Sequence, residues 1–199
     1  MNRITFIILL TLVALVFSGY AQDTGQSPPA KRKFKYDGKI ETTYDKENDR
    51  TIVFFKLMRI KALEDPKENY ALVQWSEERL RLSAYFAYQG QVFVTPQWVT
   101  IAFLSATENP QKYGDHLLTA KVDKETLTLG TMKVLSTILV TRKGKLQLVK
   151  QALELPIPYQ DFLRLANAKK VKLRLGSTEF DLLKEELEAI RDLAAHTVP

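Results

Sequence analysis

From Phe34 onward apolar and polar residues mostly alternate, the period-two signature of strands with one buried face. Ile40, Thr42 and Tyr44 alternate with Lys39, Glu41 and Thr43, and the cluster Asp45-Lys46-Glu47-Asn48-Asp49 predicts a turn. Thr51 to Ile60 (TIVFFKLMRI) is rich in β-branched and aromatic residues and reads as a strand that is apolar on both faces. Glu64 to Tyr70, with Pro66, reads as a loop. Arg79 to Tyr88 places Leu80, Leu82, Ala84, Phe86 and Tyr88 on one face, and Gly90 ends it. Trp98 to Ser105 is again apolar on both faces, which puts Trp98 and Phe103 in the expected core; Glu108-Asn109-Pro110 breaks it. Leu117 to Val122 is a short strand before a turn at Asp123-Lys124-Glu125.

Two hairpins follow. Lys133 to Val140 and Lys145 to Ala152 flank Arg142-Lys143-Gly144, and a three-residue loop with Gly144 left-handed sets Val140 opposite Leu146 and Ile138 opposite Leu148. Val171 to Leu175 and Thr178 to Leu182 flank Gly176-Ser177, a Gly-X pair that suits a type II′ turn. That turn fixes a register of Leu175 with Thr178, Arg174 with Glu179, Leu173 with Phe180 and Lys172 with Asp181. The apolar pairs then share the inner face, and two cross-strand ion pairs fall on the outer one.

Only the last forty residues show helical spacing. Pro158 suits a first turn, and Phe162, Leu165 and Ala166 share one face of a helix over 159–168. Leu183, Leu187, Ile190 and Ala194 define a second helix over about 183–195. The fold class that follows is mainly β: an antiparallel β-sandwich or partly open barrel, with a C-terminal helix-strand-strand-helix element. The stretch Phe162 to Ala194 (FLRLANAKKVKLRLGSTEFDLLKEELEAIRDLA) resembles the C-terminal module of a group of uncharacterised secreted bacterial proteins. The resemblance implies the same helix–hairpin–helix arrangement and no particular activity or site residue.

The N-terminus is of another kind. Arg3 precedes the apolar run Ile4 to Phe17, and Ser18-Gly19-Tyr20-Ala21 offers small residues at the −3 and −1 positions of a cut after Ala21. This is the pattern of a secretory signal, and the run is shorter than the roughly 20 residues a spanning helix needs. Gln22 to Lys33, with Gly25 and Pro28-Pro29, reads as a flexible linker, and 34–197 as one β-rich domain. The expected location is the periplasm or the extracellular space. The absence of cysteine excludes a disulfide scaffold, a thiol nucleophile and a lipoprotein anchor.

Candidate chemistry is sparse. His116 follows Asp115; in a strand the two would point to opposite faces, so Asp115 would not orient His116 as a triad acid does. Neither a metal-spaced cluster nor a nucleophile motif nor a glycine-rich phosphate loop is present. Glu185, Glu186, Glu188 and Asp192 are expected on the solvated face of the last helix, with Lys184 and Arg191 spaced to pair with Glu188. No catalytic, cofactor-binding or metal-binding residue is assigned. The net charge is +6, and three basic groups stand out: the arm Lys31-Arg32-Lys33-Lys35, the hairpin tip Arg142-Lys143-Lys145, and the stripe Lys169, Lys170, Lys172 and Arg174. In an exported protein these fit anionic lipid or acidic polysaccharide better than nucleic acid. The expected function is a non-catalytic binding or interaction module of the cell envelope. Its partner would be an envelope protein, a polysaccharide or an anionic lipid surface. The alternatives are a hydrolase using dispersed carboxylates such as Asp115 and Glu108, and an assembly protein that presents a sheet edge.

Overall fold

The structure is a computed structural model that describes residues 40–56, 58–60, 79–109, 112–142 and 145–197. The segments read above as a signal, a linker and a loop at Glu64 to Tyr70 lie outside these residues. Among the described residues eleven strands form two antiparallel sheets, and neither closes into a barrel. The larger sheet contains β1 (Ile40–Asp45), β2 (Arg50–Phe55), β3 (Met58–Ile60), β4 (Arg79–Gln89), β5 (Trp98–Thr107), β8 (Lys133–Arg142) and β9 (Lys145–Pro158). Its order is β1-β2-β4-β5-β9-β8, with β3 also on β4. The smaller sheet has the order β11-β10-β6-β7, built from β6 (Leu117–Val122), β7 (Glu125–Thr131), β10 (Val171–Leu175) and β11 (Thr178–Asp181). Helices α1 (Tyr159–Asn167) and α2 (Lys184–Ala195) complete the second layer, α1 on β5 and β9 and α2 on β1, β2 and β4.

The alternation read from the sequence becomes the core. Leu80, Leu82, Ala84 and Phe86 of β4, Val99, Ile101 and Phe103 of β5, and Leu153, Leu155 and Ile157 of β9 form one inner face. Leu118, Ala120, Val171, Leu173, Leu175 and Phe180 form the other. Phe103 meets Phe180 edge-to-face at 5.6 Å between ring centres and joins the two sheets. In α1 the three predicted residues Phe162, Leu165 and Ala166 are buried.

Several departures have physical causes. The segment Thr51 to Ile60 is two strands. Phe54 pairs with Tyr85 but Met58 pairs with Leu82, so one extra residue bulges out between them. Ser83 Oγ donates to the Phe55 carbonyl at 2.6 Å beside this bulge. β7 was not expected; only Leu127 of its seven residues is buried, so its apolar signal is weak. β9 runs on to Pro158 despite two prolines. Tyr159 N–H donates to Gln97 O at 2.9 Å, so Ile157 and Leu155 turn their N–H groups to β5 while Pro156 and Pro158 face the other side. There β8 has already ended, its first residue Lys133 pairing with Glu154, and no donor is required.

The β8–β9 hairpin also differs. Arg142 pairs with Lys145 and Thr141 with Leu146, which leaves two residues in the loop rather than three. An extra residue in β9 then shifts the ladder, and Val140 faces Leu148 while Ile138 faces Lys150. A second register shift lies in β8 between Val134 and Ser136. The β10–β11 register is the predicted one at all four pairs. Gly176 has φ +56° and Ser177 is not left-handed, as a type II′ turn requires.

Candidate functional site

The surface that stands out is the edge formed by β8. Among the described residues β8 pairs only with β9. The β9 parity fixed by Tyr159 carries back along the strand, so Glu154, Ala152, Lys150 and Leu148 turn their backbone groups toward β8. Their partners Lys133, Ser136, Ile138 and Val140 receive those bonds. Thr137, Leu139 and Thr141 therefore point N–H and C=O away from the sheet. Residues 134–141 (VLSTILVT) carry no charge. Leu139 is 62% exposed, Ile138 51% and Val134 37%. Leu139 and Val134 lie on the inner-face side, opposite Val149 and Leu153, yet the second layer does not reach over them. Natural edges are usually blunted by lysine, proline or a covering element; here two register shifts and the terminal Lys133 and Arg142 bracket an uncharged centre.

Beside this edge, the outer face of the larger sheet holds a polar cluster. Tyr85 of β4 donates from its hydroxyl to Glu154 Oε2 of β9 at 3.1 Å. Strand β5 lies between them, so the tyrosine side chain lies along the sheet over Thr100 and Ala102, which sit between the two in register. Burial pushes the Glu154 carboxyl above its usual range, although the Tyr85 bond and the charge of Lys133 oppose the shift. Burial and the Glu154 charge push the Tyr85 hydroxyl up as well. The Glu154 oxygen nearest Tyr85 is thus engaged as the acceptor of that bond.

Trp98, expected in the core, is 49% exposed at the start of β5 opposite Pro158. Val92 and Val94 in the preceding loop are exposed beside it in sequence. These residues and the β8 group are the large exposed apolar side chains near strand ends; Leu183 is another, standing at the N-cap of α2 rather than on its buried face.

The residues singled out for chemistry are mostly engaged in structure. Asp115 Oδ1 accepts the Leu117 N–H at 3.0 Å in the turn before β6, and His116 there is left-handed at φ +58°. Its carboxylate is turned to the backbone, and the pair lies in a turn rather than a strand. Glu108 is exposed at the end of β5. His196 follows α2, with Nδ1 2.8 Å from the Asp192 carbonyl. Lys184 and Glu188 pair at 3.8 Å as expected, whereas Arg191 turns to α1 and donates to Ala166 O at 3.0 Å and Ala168 O at 2.6 Å. It thus satisfies carbonyls that the end of α1 leaves without partners. Glu186 is not solvated: it is 4% exposed, and Oε2 has no protein partner. Among the described residues no group of three His, Asp or Glu could hold a metal ion.

The basic stripe is partly neutralised, but not by the pairs expected. Lys172 Nζ lies 3.7 Å from Glu179 on the diagonal, and Arg174 Nε donates to Gly176 O at 2.9 Å. Lys172 also has Lys121 as its neighbour on β6. The Lys169 and Lys170 backbone amides are held by Asp123, at 3.1 and 3.0 Å to Oδ1. The arm at Lys31 to Lys35 lies outside the described residues. No helix among the described residues is long and apolar enough to cross a membrane. Comparison with family models, curated proteins and solved structures finds no match to this chain.

Proposed function

We propose that the protein is an exported, non-catalytic interaction module of the cell envelope, matured by a cut after Ala21. The observation that carries this reading is the β8 edge: a strand of ten residues with an uncharged centre, exposed apolar side chains and outward backbone groups. Such a surface costs solubility and is kept where something docks. The engaged state of Asp115, His196 and the Tyr85–Glu154 pair supports binding over hydrolysis. The test places a photo-crosslinking residue at Thr137 on the β8 edge and, separately, at Thr128 on β7, in cells that make the full chain. A discrete adduct from position 137 and none from 128 is the expected result. Equal, diffuse labelling at both positions refutes the reading. Mass spectrometry of the envelope fraction tests export: a chain starting at Gln22 is expected, and an intact Met1 in washed membranes refutes cleavage.

A further inference from the structure

We infer that the loop between β4 and β5 docks on a lipid bilayer, with Val92 and Val94 among the upper acyl chains and Trp98 at the level of the headgroups. The inference goes beyond the β8 reading and does not depend on it. Residues 90–97 are held at both roots. Gly90 donates its N–H to Asp49 O at 2.7 Å, and its carbonyl accepts the Thr51 hydroxyl at 2.6 Å. At the other root Gln97 O accepts the Tyr159 N–H at 2.9 Å. Between them Phe93 turns inward and meets Tyr88 edge-to-face at 5.5 Å, and Pro96 is buried. The loop is thus fixed to the fold, yet Val92 is 81% exposed and Val94 57%, with half-exposed Trp98 following at the start of β5. Large apolar side chains grouped on a pinned loop mark a contact surface.

Charge and size select the occupant. Leu82 to Thr107 contains no charged residue, so no charge on the loop has to leave water on entering a bilayer. Trp98 combines an apolar ring with an N–H donor, which suits the boundary between acyl chains and headgroups. Three side chains offer at most a few hundred Å², well short of the roughly 800 Å² per partner that a stable protein interface buries. The β1–β2 turn that holds Gly90 carries Asp45, Glu47 and Asp49 against Lys46 and Arg50, and α1 has Asp161 in its first turn. These surroundings do not attract anionic headgroups, and the surface that fits is zwitterionic.

The chain has no cysteine, so one introduced thiol carries a polarity-sensitive fluorophore at a unique position. It is placed at exposed Thr95 in the loop and, separately, at exposed Thr128, which shares a row with Arg174 of the basic stripe. The full chain is titrated with phosphatidylcholine vesicles, and the readout is local to the label. Emission at position 95 is expected to rise by about 2-fold or more, with no change at 128. Val94→Asp is expected to weaken the partitioning by about 10-fold or more. If that variant fails to fold, Val94→Ser serves instead, with an expected loss of about 3-fold or more. Replacing about one-third of the lipid by phosphatidylglycerol is expected to change the partitioning by less than about 2-fold. No rise at 95 with about 1 mM lipid, an equal rise at both positions, or insensitivity to the Val94 variants overturns the inference. A rise that requires the anionic lipid overturns it in favour of the basic stripe. A rise on concentrating the protein without lipid overturns it in favour of a second copy. None of these outcomes bears on the crosslink at Thr137, which tests the β8 reading separately.

Discussion

Gly176 is required twice, and replacing it tests the β10–β11 turn directly. Its φ of +56° is left-handed, which costs an alanine about 1 kcal/mol or more. A Cβ there would also overlap the carbonyl oxygen and carbon of Tyr113, which are backbone atoms and cannot rotate aside. Either the turn or residues 112–116 must move. Two bonds tie the turn to this stretch and to Leu117 just after it, the Gly176 N–H to Leu117 O at 2.9 Å and the Ser177 hydroxyl to Lys112 O at 3.1 Å. Each is worth about 1 kcal/mol net, so Gly176→Ala is expected to cost about 3 kcal/mol. For a domain of this size that lowers Tm by about 6–12 °C. Gly114→Ala is the internal control: Gly114 is also left-handed, at φ +55°, but its Cβ would meet nothing within 4 Å. It carries the conformational cost alone, about 1 kcal/mol. Thermal and urea unfolding of both variants read the difference. If Gly176→Ala loses no more stability than Gly114→Ala, the close approach is not holding the turn and the reasoning fails.

Arg191→Ala removes two charge-assisted bonds to the end of α1 and is expected to cost about 2–3 kcal/mol in urea melts, with Arg191→Lys recovering part. Lys172→Glu is expected to change stability by less than about 1 kcal/mol, because its pair with Glu179 is exposed and it stands beside Lys121; Glu179→Lys, not Asp181→Lys, should restore any loss in a double-mutant comparison. Glu154 has a carboxyl raised by burial, so its contribution is fully present below the ordinary glutamate range and is lost as pH rises through the raised value. Glu154→Gln should therefore match the parent near pH 4 and gain on it toward pH 7 in paired urea melts; an equal difference at both pH values contradicts the assignment.

The C-terminal element was legible because several signals coincide there. Gly176-Ser177 dictates the turn, Leu173 and Phe180 dictate the face, and a slip of one residue would expose both. The β8–β9 hairpin was harder, since the extra residue in β9 has no marker in the sequence and alters every pair beyond it. β7 was hidden because Thr126, Thr128 and Thr131 alternate with few large apolar side chains. Pro156 and Pro158 argue against a strand unless one knows that no neighbour needs their amides. The edge at β8 was missed for a related reason. Val134, Ile138 and Leu139 look like core residues, and only the strand order reveals that the second layer stops short of them. Leu183 points the helical spacing to a face that leaves Glu186 out; the helix begins after Leu183 and its buried face includes Glu186.

Helix α2, the last element, packs on β1 and β2, the first. Likewise β5 finds its second neighbour in β9, where Trp98 meets Pro158, and β6 finds its own in β10. Assembly is therefore ruled by closures between distant parts of the sequence, which makes folding slow. A chain delivered from its N-terminus, by a ribosome or through a translocation channel, has an unsealed apolar face until Lys184–Ala195 arrives. It stays threadable for nearly its whole length, and during that interval it is also open to aggregation.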